Sequence, residues 1–270
     1  VQRLVTLDVE TVPDEGLVAA VDGQPGCPYP EQLRRVVAER RARTGGRSDF
    51  LPLPYHRPVV ACLLEAVSDG GVVKLVDLLV WTDRREPEPD FLELAWERLS
   101  GARLVSFHGK GFDLPVLELR SLKHGVAART WFGSPLRAGT DHHDLRELLA
   151  GQAAAAPLDL YAKLVGLPGK EEVDGEDVQA LYAAGDLDRI AAYCTTDVVQ
   201  TYLLFLRFQL LQGGLTPDGY EESVAHARES LPRLLSRRLR PAERAALGGF
   251  LERCRAFLAS PPLPGLQRAL

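Results

Sequence analysis

Val59-Val60-Ala61-Cys62-Leu63-Leu64-Glu65-Ala66-Val67, then Ser68-Asp69-Gly70-Gly71, then Val72-Val73-Lys74-Leu75-Val76-Asp77-Leu78-Leu79-Val80-Trp81 is the stretch on which the fold turns. Two apolar, β-branched-rich runs flank a short linker ending in Gly-Gly, which predicts an antiparallel hairpin. Upstream, residues 4–9 alternate as a strand does. Leu4, Thr6, Asp8 and Glu10 leave one side, and Val5, Leu7 and Val9 the other. Downstream, helical spacing covers 90–99, a fourth strand 102–107, and a helix 113–124 with Leu114, Leu117, Leu119 and Leu122 apolar. A fifth strand precedes Asp144, which reads as the N-cap of a helix starting at Leu145. Between 22 and 58 the composition shifts to Pro, Gly and Arg. This predicts a loop-rich insertion holding one short helix over 31–43, started by Pro30. The rest is helical: 158–165, 175–184, 186–212, then two helices near 218–230 and 241–259. That order predicts an α/β fold with a mixed five-stranded sheet, one strand antiparallel, and helices on both faces.

Composition narrows the function classes. A chain of 270 residues with 46% hydrophobic and 26% charged residues is that of an ordinary globular protein. No apolar run approaches the roughly 20 residues of a membrane span. The first residues run straight into a strand with no basic-then-apolar leader, and the absence of Met implies a removed initiator or a trimmed sequence. Cys27, Cys62, Cys194 and Cys254 are scattered without a CxxC pair, which argues against a zinc scaffold or a disulfide framework. A reduced, cytoplasmic setting is the expectation. No GxxxxGK[ST] phosphate loop is present. The net charge of −5 looks wrong for a nucleic-acid enzyme, but a cluster of catalytic carboxylates would account for most of it. Arg34, Arg35, Arg40, Arg41, Arg43 and Arg47 form one basic stretch, and Arg228, Arg233, Arg237, Arg238, Arg240 and Arg244 another. Each is either a solvated helix face or a phosphate track.

Three acidic motifs carry the chemistry. Asp8 and Glu10 are two apart at the end of an apolar strand, so both side chains leave one face and can reach one divalent cation. Asp174 and Glu176 share that spacing, but in a loop, where acids suit a helix N-terminus. Asp113 follows Ser106-Phe107-His108-Gly109-Lys110-Gly111-Phe112 and precedes Leu114-Pro115, so helix capping alone would explain it. The glycines either admit a substrate backbone or make the turn. Tyr193 and Asp197, in Tyr193-Cys194-Thr195-Thr196-Asp197, are four apart and share a helix face. Tyr182 and Asp186 have the same spacing, with Gly185 between them as a helix end. Adjacent His142 and His143 point to opposite faces of a strand and cannot share an ion. Lys170 is either an exposed loop lysine or a phosphate contact.

At these residues the chain resembles the DEDD 3′–5′ exonucleases in their tyrosine-containing DEDDy branch. It is similar to the bacterial group related to the proofreading exonuclease domain of family B DNA polymerases. The resemblance covers roughly residues 1–210 and extends to Gly166-Leu167-Pro168-Gly169-Lys170, Asp197-Val198 and Thr201-Tyr202. It implies a ribonuclease H-like three-layer fold, an exonuclease domain over 1–212 and a helical C-terminal extension over 213–270 packed on it. By the same resemblance Asp8, Glu10, Asp113 and Asp197 bind two divalent cations, Mg²⁺ or Mn²⁺, and Tyr193 orients the attacking water. Thr11 and Val12 would abut the terminal sugar and base, with His108 as a further substrate contact and Phe112 either a core residue, the favoured reading, or a stacking surface. His108 stands where Asn is usual and Thr195 where Glu is common; neither is a metal ligand in the family. The implied activity is hydrolysis of single-stranded nucleic acid from a 3′ end, DNA being favoured over RNA. Any proofreading role would be in trans, beside replication or repair proteins. The alternatives are an exoribonuclease of the same chemistry, or a non-catalytic nucleic-acid-binding module on a nuclease fold.

Overall fold

A computed structural model describes residues 1–134, 137, 141–151, 153–169, 175 and 177–258. Its central strand, β1 (Gln2–Pro13), pairs along its whole length with antiparallel β2 (His56–Asp69), which pairs in turn with β3 (Val72–Thr82). On the other side β1 runs parallel to β4 (Arg103–Ser106), and β4 parallel to β5 (His142–Asp144). The order is β3-β2-β1-β4-β5 with β2 the one antiparallel strand, the mixed sheet that the hairpin predicts.

Helices follow in chain order: α1 (Glu15–Asp22), α2 (Tyr29–Arg43), α3 (Glu88–Leu99), α4 (Asp113–His124), α5 (Arg129–Phe132) and α6 (Leu145–Ala150). After them come α7 (Leu158–Leu164), α8 (Val178–Ala183), α9 (Leu187–Leu211), α10 (Pro217–Arg238), α11 (Pro241–Ala246) and α12 (Phe250–Leu258). They sit on both faces because the strands are apolar on both. Val5, Leu7 and Val9 meet Phe91, Leu92, Trp96, Leu117 and Trp131 of α3, α4 and α5. Leu4, Cys62 and Leu64 face the opposite core, filled by α9 and the C-terminal helices.

Two expectations are corrected and one helix is new. The insertion over 22–58 holds one α-helix, α2, as expected, but an unexpected helix, α1, precedes it and packs with it around Val18, Leu33, Val36 and Leu51. Asp14 caps α1 by accepting from Leu17 N, and Gly23 ends it with φ 64°. The helix expected to stop near Ser230 runs on through Pro232, because buried Leu231, Leu234 and Leu235 anchor the turns around it. The last helix is two, divided around Gly248 and Gly249. The acid pair Asp174 and Glu176, and the chain from residue 259 on, lie outside the described residues.

The exposed edge of β3 is covered. Ser223 Oγ accepts from Val73 N at 2.8 Å and His226 Nδ1 from Leu75 N at 3.3 Å, so α10 satisfies edge donors that could otherwise recruit another chain. A buried ionic knot ties the junction of β1 and α1 to α3 and α4. The Arg120 guanidinium on α4 bonds Asp14 at 2.5 Å and forks onto Glu88 at 2.5 and 2.7 Å, while Lys123 Nζ meets Asp14 at 2.5 Å. Burial pushes the Asp14 carboxyl up, but Lys123, Arg120 and the Leu17 N–H outweigh it and hold it well below its usual range. Glu88 is lowered in the same way by Arg120.

Arg120→Ala leaves Asp14 to Lys123 and the Leu17 N–H and Glu88 to His124, and should cost about 3 kcal/mol at neutral pH. Depressed carboxyl pKa values stabilise the fold above their unfolded values and lose that effect as pH falls through the folded ones. The gap between wild type and Arg120→Ala in urea melts should therefore narrow below about pH 4. An equal gap at pH 7 and pH 3 would contradict this account of the knot.

Candidate active site

The acidic motifs converge where β1 outruns its parallel neighbour. Pairing of β1 with β4 ends at Thr6 and Val105, so from Leu7 onward the edge of β1 opens into a crevice. Crevices at the carboxyl ends of parallel strands are where α/β sheets place their ligands. Asp8 and Glu10 lie in this open stretch, half-buried, on the face turned to α9. Immediately beyond, the β1–β2 register slips between Glu10 and Thr11, opposite Pro58, which has no N–H to give to the ladder. The extra residue is Val59 on β2, and such a bulge bends the pair just past the motif.

Asp113 is the first residue of α4, and its carboxylate does more than cap. Oδ1 accepts from Val9 N at 2.8 Å, using a β1 donor that β4 no longer reaches. Burial, then the charge of Asp8, pushes its pKa well above the usual carboxylate value. From the other side, α9 brings buried Tyr193 and Asp197 on one face. The Tyr193 phenol is pushed far up by burial, and after that by Asp197, Glu10 and Asp8, and it shares a hydrogen bond with Asp197. Four carboxyl groups and one phenol from three distant segments thus act on one another in one crevice.

Asp8, Glu10 and Cys194 each offer a ligand atom, all within 4.8 Å of one another. The carboxylate oxygens suit a hard divalent cation. Cys194 is the residue that the spacing did not single out. Its Sγ donates to the Asp8 carbonyl oxygen at 3.4 Å, and burial, together with neighbouring Cys62, raises its pKa well above the usual thiol value. It therefore pins α9 to β1 as a neutral thiol. Thr195 is buried and spends its hydroxyl on Ala191 O at 2.7 Å, away from the acids.

The loop before Asp113 is shaped by Asp144. Besides capping α6 through Arg146 N, its buried carboxylate accepts from His108 N at 2.8 Å and Lys110 N at 2.9 Å. A Cβ on Gly109 would lie 2.5 Å from Ser106 Oγ, so this glycine serves close packing within the loop. His108 adopts φ 74° and meets Arg146 Nη1 through Nδ1 at 2.7 Å. Burial, then Arg146, lowers its pKa. His142 bonds Ser106 Oγ at 2.7 Å and is held neutral by burial, its pKa about 3, while His143 tilts against Phe205. The two histidines are structural, as their alternation predicts.

A cleft of about 940 Å³ opens at the Glu10 end of this cluster. Thr11, His108 and Phe112 line it, but Val12 does not: it is buried in the core facing α9, so its expected contact with the substrate is corrected. Of the second basic stretch, Arg237, Arg238, Arg240 and Arg244 are spent on structure. Arg238 grips Asp77 at 2.6 Å, and Arg240 reaches Asp188 and Glu243. In the first, Arg35 forks onto Asp22 at 2.6 Å and Arg40 lines the cleft. Lys170 lies outside the described residues. Among the described residues no helix is long and apolar enough to cross a membrane.

No curated protein matches the chain. A family model described as a predicted 3′–5′ exonuclease related to the exonuclease domain of PolB matches residues 48–253. The matched segment holds β2 to β5 with Asp113, Tyr193 and Asp197; Asp8 and Glu10 lie just ahead of it on β1, which is zipped to β2 throughout. With more than half of its residues matched and an α/β sheet of the expected order, the chain belongs to the family of predicted 3′–5′ exonucleases related to the exonuclease domain of PolB.

Proposed function

We propose that this protein is a divalent-metal-dependent 3′–5′ exonuclease that removes nucleotides from single-stranded DNA. The observation that carries the reading is the convergence of Asp8, Glu10, Asp113, Tyr193 and Asp197 from β1, α4 and α9 on one crevice. The relation of its family to a DNA polymerase's exonuclease domain supports DNA as the substrate.

Asp8, Glu10, Asp113 and Asp197 would hold two cations, Mg²⁺ or Mn²⁺, since hard ions prefer carboxylate oxygen. Bound there, such ions supply charge stabilisation at the phosphate and an acidified water. The chain's own groups set the rest. Asp113, fastened to Val9 N, fixes the start of α4 against β1 so that its carboxylate cannot swing away. Tyr193 stays protonated, so it cannot serve as a base; with its one proton given to Asp197, its oxygen can accept from the attacking water and so orient it. Its bond to Asp197 sets the ring's direction. Burial of Tyr193, Asp113 and Asp197 keeps bulk water from screening these contacts.

With Mg²⁺ or Mn²⁺, a 5′-labelled single strand should shorten stepwise from its 3′ end and release mononucleotides. Blocking the 3′-hydroxyl should stop the reaction, and a closed single-stranded circle should survive. Cleavage of the circle would refute the polarity. RNA cut faster than DNA of the same sequence would move the assignment to an exoribonuclease.

Asp8→Asn should lower turnover by at least about 100-fold while the protein still melts cooperatively. Tyr193→Phe should lower turnover by roughly 100-fold, yet leave calorimetric Mn²⁺ affinity within a few-fold of wild type. Loss of Mn²⁺ binding in Tyr193→Phe would make the tyrosine a ligand and not a positioning group.

A further inference from the structure

The end of the 22–58 insertion, which falls inside the matched family segment from residue 48 on, reaches into the cleft, and its reach has a chemical meaning. Phe50 is 57% exposed, a large apolar ring turned partly outward. It is nevertheless held in place. Leu51 beside it is buried in the core of the α1–α2 pair, and Arg40 Nε donates to the Phe50 carbonyl oxygen at 3.0 Å. The ring stacks on His56 with centroids 4.9 Å apart and planes 29° apart, and His56 meets Phe112 edge-on at 4.9 Å. His56 is itself locked. Its Nε2 bonds Leu51 O at 3.0 Å, so this nitrogen is the donor, and Nδ1 accepts from the Thr11 hydroxyl at 2.9 Å. Thr11 directly follows Glu10, so the aromatic group is braced against the acidic motif.

We propose that Phe50, His56 and Phe112 form a stacking platform for the unpaired bases just upstream of the scissile 3′ nucleotide, with Arg40 offering charge to the backbone. The platform rests on the exonuclease reading of the site, and it makes the insertion the element that selects an unstacked single strand. Three observations favour a nucleic-acid strand as occupant. The wall is aromatic and tolerant of any base face, a guanidinium lines the same cleft, and the cleft is continuous with Glu10. A volume of about 940 Å³ lies at the upper end of the range for a small-ligand site and has room for more than a mononucleotide. A paired end would have to fray before its bases could enter, which costs a few kcal/mol in unstacking.

The test compares wild type, Phe50→Ala and Phe50→Tyr on a 12-nucleotide single strand and on a dinucleotide, with Mn²⁺, and reads KM and kcat separately. Anisotropy of a fluorescent single strand in EDTA reads binding without chemistry. For Phe50→Ala the KM for the 12-mer should rise about tenfold with kcat within about twofold, the dinucleotide should be affected several-fold less, and strand affinity should fall in parallel. Phe50→Tyr, which keeps a ring, should recover most of the loss. Equal effects on both substrates, or none on either, would overturn the platform while leaving the exonuclease intact. Phe50-dependent binding without any hydrolysis by wild type would remove the exonuclease reading and leave the platform standing. Absence of both binding and hydrolysis would remove both.

Discussion

Repulsion among four carboxyl groups gathered at one end of a buried strand is the constraint that the rest of this structure answers. Asp113 is displaced upward by burial and by Asp8, and Tyr193 by burial and by three acids around it. A protein gains nothing in stability from such a gathering, because each charge loses water and meets its own sign. Its persistence requires that neighbouring elements be stable enough to hold it, and that a cation compensate it in use.

The scaffold meets that requirement with its most heavily packed parts. β1 is central in the sheet, flanked by β2 and β4, and α9 is buried along nearly all of its length. Small, local bonds then set the register between them. Cys194 holds α9 to the Asp8 carbonyl, Asp113 holds α4 to Val9 N, and Asp144 holds the intervening loop by two backbone amides. None of these is worth more than a few kcal/mol. Their value is positional, since they fix three segments that are far apart in sequence to within hydrogen-bond tolerance of one another.

Much of this was legible in the chain. Alternation through residues 4–10 placed Asp8 and Glu10 on one face, and that face is the one turned to α9. The four-residue step from Tyr193 to Asp197, in a helix without a break, placed both on one side of α9. The hairpin at Ser68–Gly71 sufficed to make the sheet mixed. What periodicity could not show are bonds made by tertiary contact. Asp113 looks like a capping residue until Val9 is beside it, and Asp144 like nothing more than a cap until residues 108 and 110 fold over it. Val12 was misplaced because alternation, unbroken along β1, keeps it on the side of Leu4, where the core beneath α9 buries it. The helix α1 was missed because its eight residues bury little alone, Val18 finding its core only when α2 meets it.

The claim that the carboxylates are held for a cation is tested most directly by melting wild type and Asp113→Asn with and without Mn²⁺. Asparagine keeps an oxygen for Val9 N but removes the charge. Without metal, Asp113→Asn should melt at or above the wild-type temperature, because an ionised group that the site disfavours is gone. Wild type should gain about 2.7 kcal/mol when Mn²⁺ is a hundredfold above its dissociation constant, and Asp113→Asn far less. A wild-type melting temperature indifferent to Mn²⁺ and Mg²⁺, or a metal-free Asp113→Asn that melts well below wild type, would contradict it.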